Sequence, residues 1–258
     1  MRDWAARQGY FIGTAAPQEA VTALLRRFWP VTTTLPLIRV GGAADGGYLV
    51  PDDLDGIAAC FSPGVDVTAT FEKDMIARGI PCFLADASVE SAPLSDPLVD
   101  FERSFLGTID EAPLTTMDDW VRRKGPASGD LLLQMDIEGH EWPVLLSMSE
   151  QLLTRFRIMV LEIHGLPDAF NSSALEMFDS CMMRLNRHFH VVHSHVNNFL
   201  PATVTGGLSI PPFLEITLLR KDRADATGMA TNFPHPLDQT NVPGLPDYVL
   251  PASMHATG

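Results

Sequence analysis

Residues 130–164 read DLLLQMDIEGHEWPVLLSMSEQLLTRFRIMVLEIH, and their reading decides the fold. DLLLQMD (130–136) and FRIMVLEIH (156–164) are nearly continuous apolar runs of strand length. Between them HEWPVLLSM (140–148) starts a helix, with Pro143 placed where only a first turn tolerates it. Strands without polar alternation are buried on both faces. When a helix joins two of them, the sheet is parallel and covered on both sides.

Working outward, the alternation continues. IAACFSP (57–63) predicts a strand, 67–79 a helix with Thr68 as N-cap and Gly79 at C′, and IPCFLADAS (80–88) a second strand. Residues 99–107 give a weaker strand and 114–125 a short helix with Met117, Trp120 and Val121 on one side. Residues 173–189 are the clearest helix. Ser173 and Glu176 suggest a capping box, and Leu175, Phe178, Met182, Leu185 and Phe189 share a face. HVVHSHV (190–196) and FLEITLLRK (213–221) follow without a full helix between them, which predicts a terminal antiparallel pair. Upstream, 17–29 has helical spacing, and PLIRVGGAADGGYLVP (36–51) predicts a hairpin or flap around a Gly-rich turn. From 222 the chain is Pro-rich and irregular.

These elements predict an N-terminal helical extension (1–35), a central α/β domain (36–221) and a C-terminal tail packed on it (222–258). The 258 residues fit one such domain with trimmings. Lys plus Arg number 18 against 32 Asp plus Glu, a formal charge of −14. That acidity disfavours nucleic acid as a partner. No apolar run approaches the ~20 residues of a membrane span, and the N-terminus lacks a signal-peptide core. Cys60, Cys82 and Cys181 are too few and scattered for a disulfide framework, so a reducing cytoplasm is expected. Homo-oligomerisation stays open.

In such sheets ligands bind beyond the carboxyl ends of the strands. After the first strand stands Ser62-Pro63-Gly64-Val65-Asp66, where Gly64 allows close backbone approach ahead of a helix N-terminus. An ordinary strand-to-helix turn explains it as well. The second strand ends on Asp86, spaced to accept hydrogen bonds from both ribose hydroxyls of a nucleoside, although a solvated loop aspartate has the same look. Turn and acid together suggest a nucleoside cofactor.

The next strand ends in Asp136-Ile137-Glu138-Gly139-His140-Glu141, a density of charge that packing does not explain. Glu141 is accounted for as a first-turn acid favouring the helix dipole. On the following strand, alternation places Glu162 and His164 on one side. If the two strands are neighbours, Asp136, Glu162 and His164 converge, as ligands of a divalent cation or as a metal-free hydrogen-bonded set. His190, His193, His195, Asn197 and Asn198 complete the polar strand ends, with His193 and His195 on one face and His190 on the other unless a bulge intervenes.

These residues resemble a known family. LLLQMDIEGHEWPVL (131–145) resembles the D-I-E-G-x-E-x-x-V-L segment of FkbM-type S-adenosylmethionine-dependent methyltransferases. RVGGAADGGYLVPDDL (39–54), FSPGVDVTATFEKDMIARG (61–79), LEIHG (161–165) and HSHVNNF (193–199) resemble further elements of one branch, in the same order, over about residues 37–221. The tail segment PLDQTNVPGLPD (236–247) looks familial as well. The resemblance implies a class I methyltransferase fold, Rossmann-like and doubly wound, mostly parallel with a terminal antiparallel strand, and S-adenosylmethionine as donor. Carried over, Ser62, Pro63 and Gly64 would face the methionine part and Asp86 would hold the ribose. Glu72 matches an acid of the first helix, and Asp136 stands in the acidic motif. The Ser62-Pro63 pair departs from a position where many relatives have a glycine nearby. Gly46, Gly47 and Tyr48 are expected over the cofactor or the acceptor.

The family implies O-methylation of a small-molecule or glycan acceptor: a sugar, a glycan or a secondary metabolite. Related sugar O-methyltransferases use a divalent cation held by acids at the fourth and fifth strand ends, which adds magnesium, manganese or zinc at Asp136, Glu162 and His164 as an expectation. A sugar hydroxyl is a poor acid, so a base or a metal must help. His140, His164 and His195 are the candidate bases. Two rivals are a catalytically inactive methyltransferase-like binding module and a nicotinamide-dependent oxidoreductase. GxGxxG and Tyr-x-x-x-Lys are both missing, which counts against the latter.

Overall fold

The computed structural model describes residues 7–8, 13–65 and 67–255. Much of the expected N-terminal extension and Asp66 of the first turn lie outside the described residues. The seven sheet strands are β1 (Ile57–Pro63), β2 (Cys82–Ala85), β3 (Val99–Glu102), β4 (Asp130–Met135), β5 (Phe156–His164), β6 (Phe189–Val196) and β7 (Phe213–Arg220). Their spatial order is 3-2-1-4-5-7-6. β1 to β5 run parallel, and β7 lies antiparallel to both β5 and β6. This is a Rossmann-like sheet, mostly parallel. The last strand is antiparallel, as its sequence suggested, but it inserts between β5 and β6 and is not the sheet edge.

The helices are α1 (Gln18–Arg26), α2 (Thr70–Ala77), α3 (Met117–Lys124), α4 (Glu141–Ser147), α5 (Glu150–Leu153) and α6 (Ser172–His188). Strand alternation divides the interior into two cores. Leu131, Leu133 and Met135 of β4 and Met159, Leu161 and Ile163 of β5 pack with Leu24 of α1, Trp120 of α3, Trp142 of α4 and Met182 of α6. Leu132, Ile158 and Val160 point the other way, against Phe71 and Met75 of α2 and Val40, Tyr48 and Val50 of a hairpin. That hairpin pairs Leu37–Val40 with Tyr48–Pro51 and docks on β7, where Thr217 Oγ1 donates to the Leu49 carbonyl at 2.6 Å.

Several local expectations change. α2 starts at Thr70 behind Ala69, whose methyl cannot cap it, so Thr68 is not the N-cap, and the Thr70 hydroxyl bonds the hairpin loop. Gly79 does follow the helix with φ +76°. α6 is capped by Asn171, whose Oδ1 accepts from Ser173 N at 2.9 Å, so Ser173 lies inside the helix. The expected strand over 99–107 breaks after Glu102, and Phe105–Leu106 pairs with Leu114–Thr115. In the irregular tail, Ala226–Met229 pairs with Val31–Thr33. A bulge between Val191 and His193 resets the faces of β6. All three cysteines are buried and free. Among the described residues no helix is long and apolar enough to cross a membrane.

Candidate active site

Strand order reverses between β1 and β4, and the crevice beyond their carboxyl ends is where such sheets bind ligands. Gly64 sits at that point with φ +82°. A Cβ on it would stand 1.6 Å from the Asp136 carbonyl oxygen. Only glycine lets the two strand ends touch here. Beside the contact opens a cavity of about 540 Å³, within the range of small-molecule sites.

One end of the cavity is built by β1, β2 and α2. Asp86 follows β2 directly, is 6% exposed and lines the cavity, with Oδ1 accepting from Ser88 N at 2.7 Å and Ser88 Oγ at 2.6 Å. Glu72 of α2 lines it too. Burial pushes the Glu72 carboxyl pKa up, against the pull of its hydrogen bonds to Ser62 and its own backbone. Ser62 is fully buried behind this wall and touches both the Glu72 carboxyl and Gln134 Oε1, the latter at 2.5 Å. One serine proton cannot serve two acceptors. A protonated Glu72 donating to Ser62, with Ser62 donating to Gln134, satisfies all three. Pro63 contributes its carbonyl, which accepts from Asp136 N at 3.3 Å.

The second wall is the hairpin loop. Gly41 N donates to Asp74 Oδ2 at 2.8 Å, Gly42 N to Thr70 Oγ1 at 3.1 Å, and Thr70 Oγ1 to the Gly46 carbonyl at 3.0 Å. The loop is thus fastened to α2. Gly46 faces the cavity, whereas Gly47 is a packing position where a Cβ would lie 2.0 Å from the Gly42 carbonyl oxygen. Tyr48 lines the cavity and packs edge-on against Phe71. Burial, then the carboxylates of Glu162, Glu215, Asp136 and Asp45, push the pKa of its phenol far up, so it stays neutral.

The third wall is the loop between β4 and α4. Glu141, fully buried, accepts from Ile137 N at 3.0 Å and from Gly139 N at 3.1 Å, which pins the loop. Glu138 is driven into the left-handed region at φ +54°, a conformation that costs a non-glycine residue energy and clusters at functional sites. Asp136 lines the cavity, and its Oδ1 is buried without a hydrogen-bond partner. Burial raises its pKa to about 7; His164 opposes the shift, and Glu138 and Glu141 reinforce it. His140 is exposed on the cavity rim.

The other two candidate bases lie outside the lining. His164 is anchored through its carbonyl to Trp142 Nε1 at 2.9 Å. Its Nδ1 lies 3.2 Å from Glu141 Oε1 and its Nε2 3.4 Å from Glu138 and 3.8 Å from Asp136. Burial works against its charge, but these three acids outweigh it and raise its pKa. His195 has both ring nitrogens taken, by Glu215 at 3.2 Å and Asp247 at 3.1 Å.

Among the described residues, two sets of side chains bring ligand atoms within 4.8 Å of one another, close enough to share a cation: Asp136 with Glu138 and His164, and Asp45 with Glu162 and Glu215. The expected trio Asp136, Glu162 and His164 is therefore divided between them. Glu162 pairs in register with Glu215 across β5 and β7 and accepts from Asn197 Nδ2 at 2.9 Å, while the turn at Glu138 brings that carboxylate to His164. Burial and the neighbouring acids hold the Glu162 carboxyl well above the ordinary range. Sequence reasoning missed Asp45, Gln134, Glu138 and Glu215. A lone acid inside the apolar run FLEITLL was the available signal for Glu215.

No curated protein matches the chain. The family model of the methyltransferase FkbM domain matches residues 72–196, from Glu72 on α2 through the acidic loop to the end of β6. Gly64 and the hairpin wall precede the matched span, and Glu215 and Asp247 follow it. With this sheet and this cavity around it, the chain carries a methyltransferase FkbM domain.

Proposed function

We propose that the chain transfers the methyl group of S-adenosylmethionine to a hydroxyl of a sugar, glycan or secondary metabolite. The observation that carries this reading is the joint placement of Gly64 and Asp86 on one cavity at the strand-order reversal. The residues suit the donor. Gly64 leaves the strand ends open where a Cβ would close them, and Asp86 offers a carboxylate to a ribose. Ser62 and Pro63 support that turn from behind. When bound, the donor supplies an activated methyl group, so the protein has only to align the acceptor and remove its proton. Asp136 is placed for the proton: it lines the cavity, and the carboxylate is basic enough near neutrality. The acceptor oxygen gains the methyl carbon as the carbon–sulfur bond of the donor breaks, the sulfur keeping the electron pair and leaving as S-adenosylhomocysteine, while the hydroxyl proton passes to Asp136 and on to water. His140 on the rim is the second group able to accept it.

Calorimetry with S-adenosylhomocysteine tests the donor assignment. Asp86→Ala should weaken binding by roughly 1.5–3 kcal/mol, the cost of lost charge-assisted hydrogen bonds. An unchanged dissociation constant refutes it. A second reading adds a divalent cation, favoured by the two convergent acid sets. The measure is methyl transfer in excess chelator followed by add-back of magnesium, manganese or zinc. Activity that survives chelation, with no metal by elemental analysis, leaves the carboxylate-base mechanism alone.

A further inference from the structure

We infer that the side-chain amide of Gln134 binds the α-carboxylate on the methionine arm of the methyl donor, and that Ser62 and Glu72 hold that amide turned towards the cavity; this rests on the donor assignment above. Gln134 is only 6% exposed, yet it lines the cavity. Its Oε1 is already engaged, accepting from Ser62 Oγ at 2.5 Å. Among the described residues nothing accepts from its Nε2, and that nitrogen is not sealed off from solvent. A buried amide donor with no protein partner, open to a cavity, points to an oxygen of a ligand.

The network behind the wall sets which way the amide faces. Turned over, it would offer Oε1 to the cavity and suit an ammonium. Glu72 decides between the two. It is 3% exposed, no cationic side chain pairs with it among the described residues, and burial favours its neutral form. A neutral Glu72 donates to Ser62, Ser62 then donates onward, and its target has to be an oxygen. The donors run from Glu72 through Ser62 to Gln134 Oε1, which leaves Nε2 for the cavity.

An independent observation gives the sign of the ligand. α2 begins at Thr70 with no side-chain cap, and Thr70 and Phe71 line the same cavity. The positive end of the helix dipole therefore meets the cavity, where it favours an anion. None of the described residues lining the cavity is a lysine or arginine, so neutral donors have to hold that anion. The order of strands agrees. β2, β1 and β4 are successive neighbours, and they carry Asp86, Gly64 and Gln134 at or near their carboxyl ends. A donor with its ribose on Asp86 crosses Gly64 and brings its amino-acid arm to Gln134.

The test is calorimetry with S-adenosylhomocysteine and its decarboxylated analogue, S-adenosyl-3-thiopropylamine, which keeps the nucleoside and the ammonium and lacks only the carboxylate. The unmodified protein should bind the first at least tenfold tighter. That preference should fall at least fivefold in Gln134→Leu, and further in Gln134→Glu, which sets a carboxylate against that of the ligand. Affinity for the decarboxylated analogue should stay within threefold in Gln134→Leu, which shows that the variant is folded. Glu72→Gln keeps a neutral donor for Ser62 and should preserve the preference within threefold, whereas Glu72→Leu removes that donor and should lower it by more. Equal affinity of the unmodified protein for the two ligands, a preference that survives Gln134→Leu, or parallel loss of both ligands in the two Gln134 variants overturns the inference. So does a fivefold loss of preference in Glu72→Gln, which would show Glu72 acting as an anion. Tighter binding of S-adenosylhomocysteine by Gln134→Glu overturns it too, and would place the amide oxygen on the ammonium. Failure of S-adenosylhomocysteine to bind the unmodified protein is a separate result: it overturns the donor reading and this inference with it.

Discussion

Asp136 shows how one residue can serve backbone and chemistry at once. Its carbonyl occupies the space that a Cβ on Gly64 would need, its N–H donates to Pro63, and its carboxylate turns into the cavity. The backbone contacts fix where the side chain starts, and burial among acids sets how readily it takes a proton. A substitution that keeps shape and removes basicity separates the two roles. Asp136→Asn should leave S-adenosylhomocysteine affinity within about threefold while lowering kcat by roughly 10²–10⁴, the range for a lost general base. A variant that loses donor binding and keeps kcat would show the carboxylate holding the donor instead.

At the scale of elements, the loop between β4 and α4 illustrates what the sequence tells and what it hides. The apolar runs of β4 and β5 announced a parallel core, and alternation correctly put Glu162 and His164 on the face shared with Ile158 and Val160. Which acids meet was hidden, because it depends on register and loop geometry. Glu215 reaches Glu162 only because β7 inserts next to β5, a long-range pairing that no local pattern encodes. Glu138 reaches His164 only through a left-handed turn, and the N-caps moved by one or two residues, from Thr68 to Ala69 and from Ser173 to Asn171, whose side chain takes the capping role. Glu141 was read as a dipole-favouring first-turn acid; it is the first residue of α4 and also clamps two loop amides. Glu141→Gln keeps the size and weakens charge-assisted bonds, so it should cost about 1.5–3 kcal/mol in denaturant unfolding. It should also raise the acceptor KM, because the Asp136–His140 loop loses its anchor. A loss under 0.5 kcal/mol with unchanged KM would mean that packing alone holds the loop.

The whole molecule couples its irregular C-terminal segment to the sheet through histidines of β6. His195 bridges Glu215 of β7 and Asp247 of the tail, His193 lies 2.9 Å from Asp238, and Asn198 exchanges hydrogen bonds with Val242. Val196 and Tyr248 form a β-bridge beside them. This fastening responds to pH. Burial alone would lower the His195 pKa, but Glu215, Asp238 and Asp247 more than offset it and raise it to about 9 from an ordinary 6.5. A group whose folded pKa is raised contributes stability that is complete below the unfolded value and fades as pH climbs through the folded one. The contribution is on the order of 3 kcal/mol, from about 1.4 kcal/mol per pKa unit. His195→Gln should therefore be most destabilising, relative to the unmodified chain, at about pH 6. The gap should narrow steadily from about pH 6.5 to about pH 9 and be smallest near pH 10. Comparing the two proteins at each pH cancels titrations they share, so chemical denaturation across this window isolates the bridge. A gap that stays constant from pH 6 to 10 would mean that the imidazole is neutral in the folded protein and holds the tail by hydrogen bonds alone.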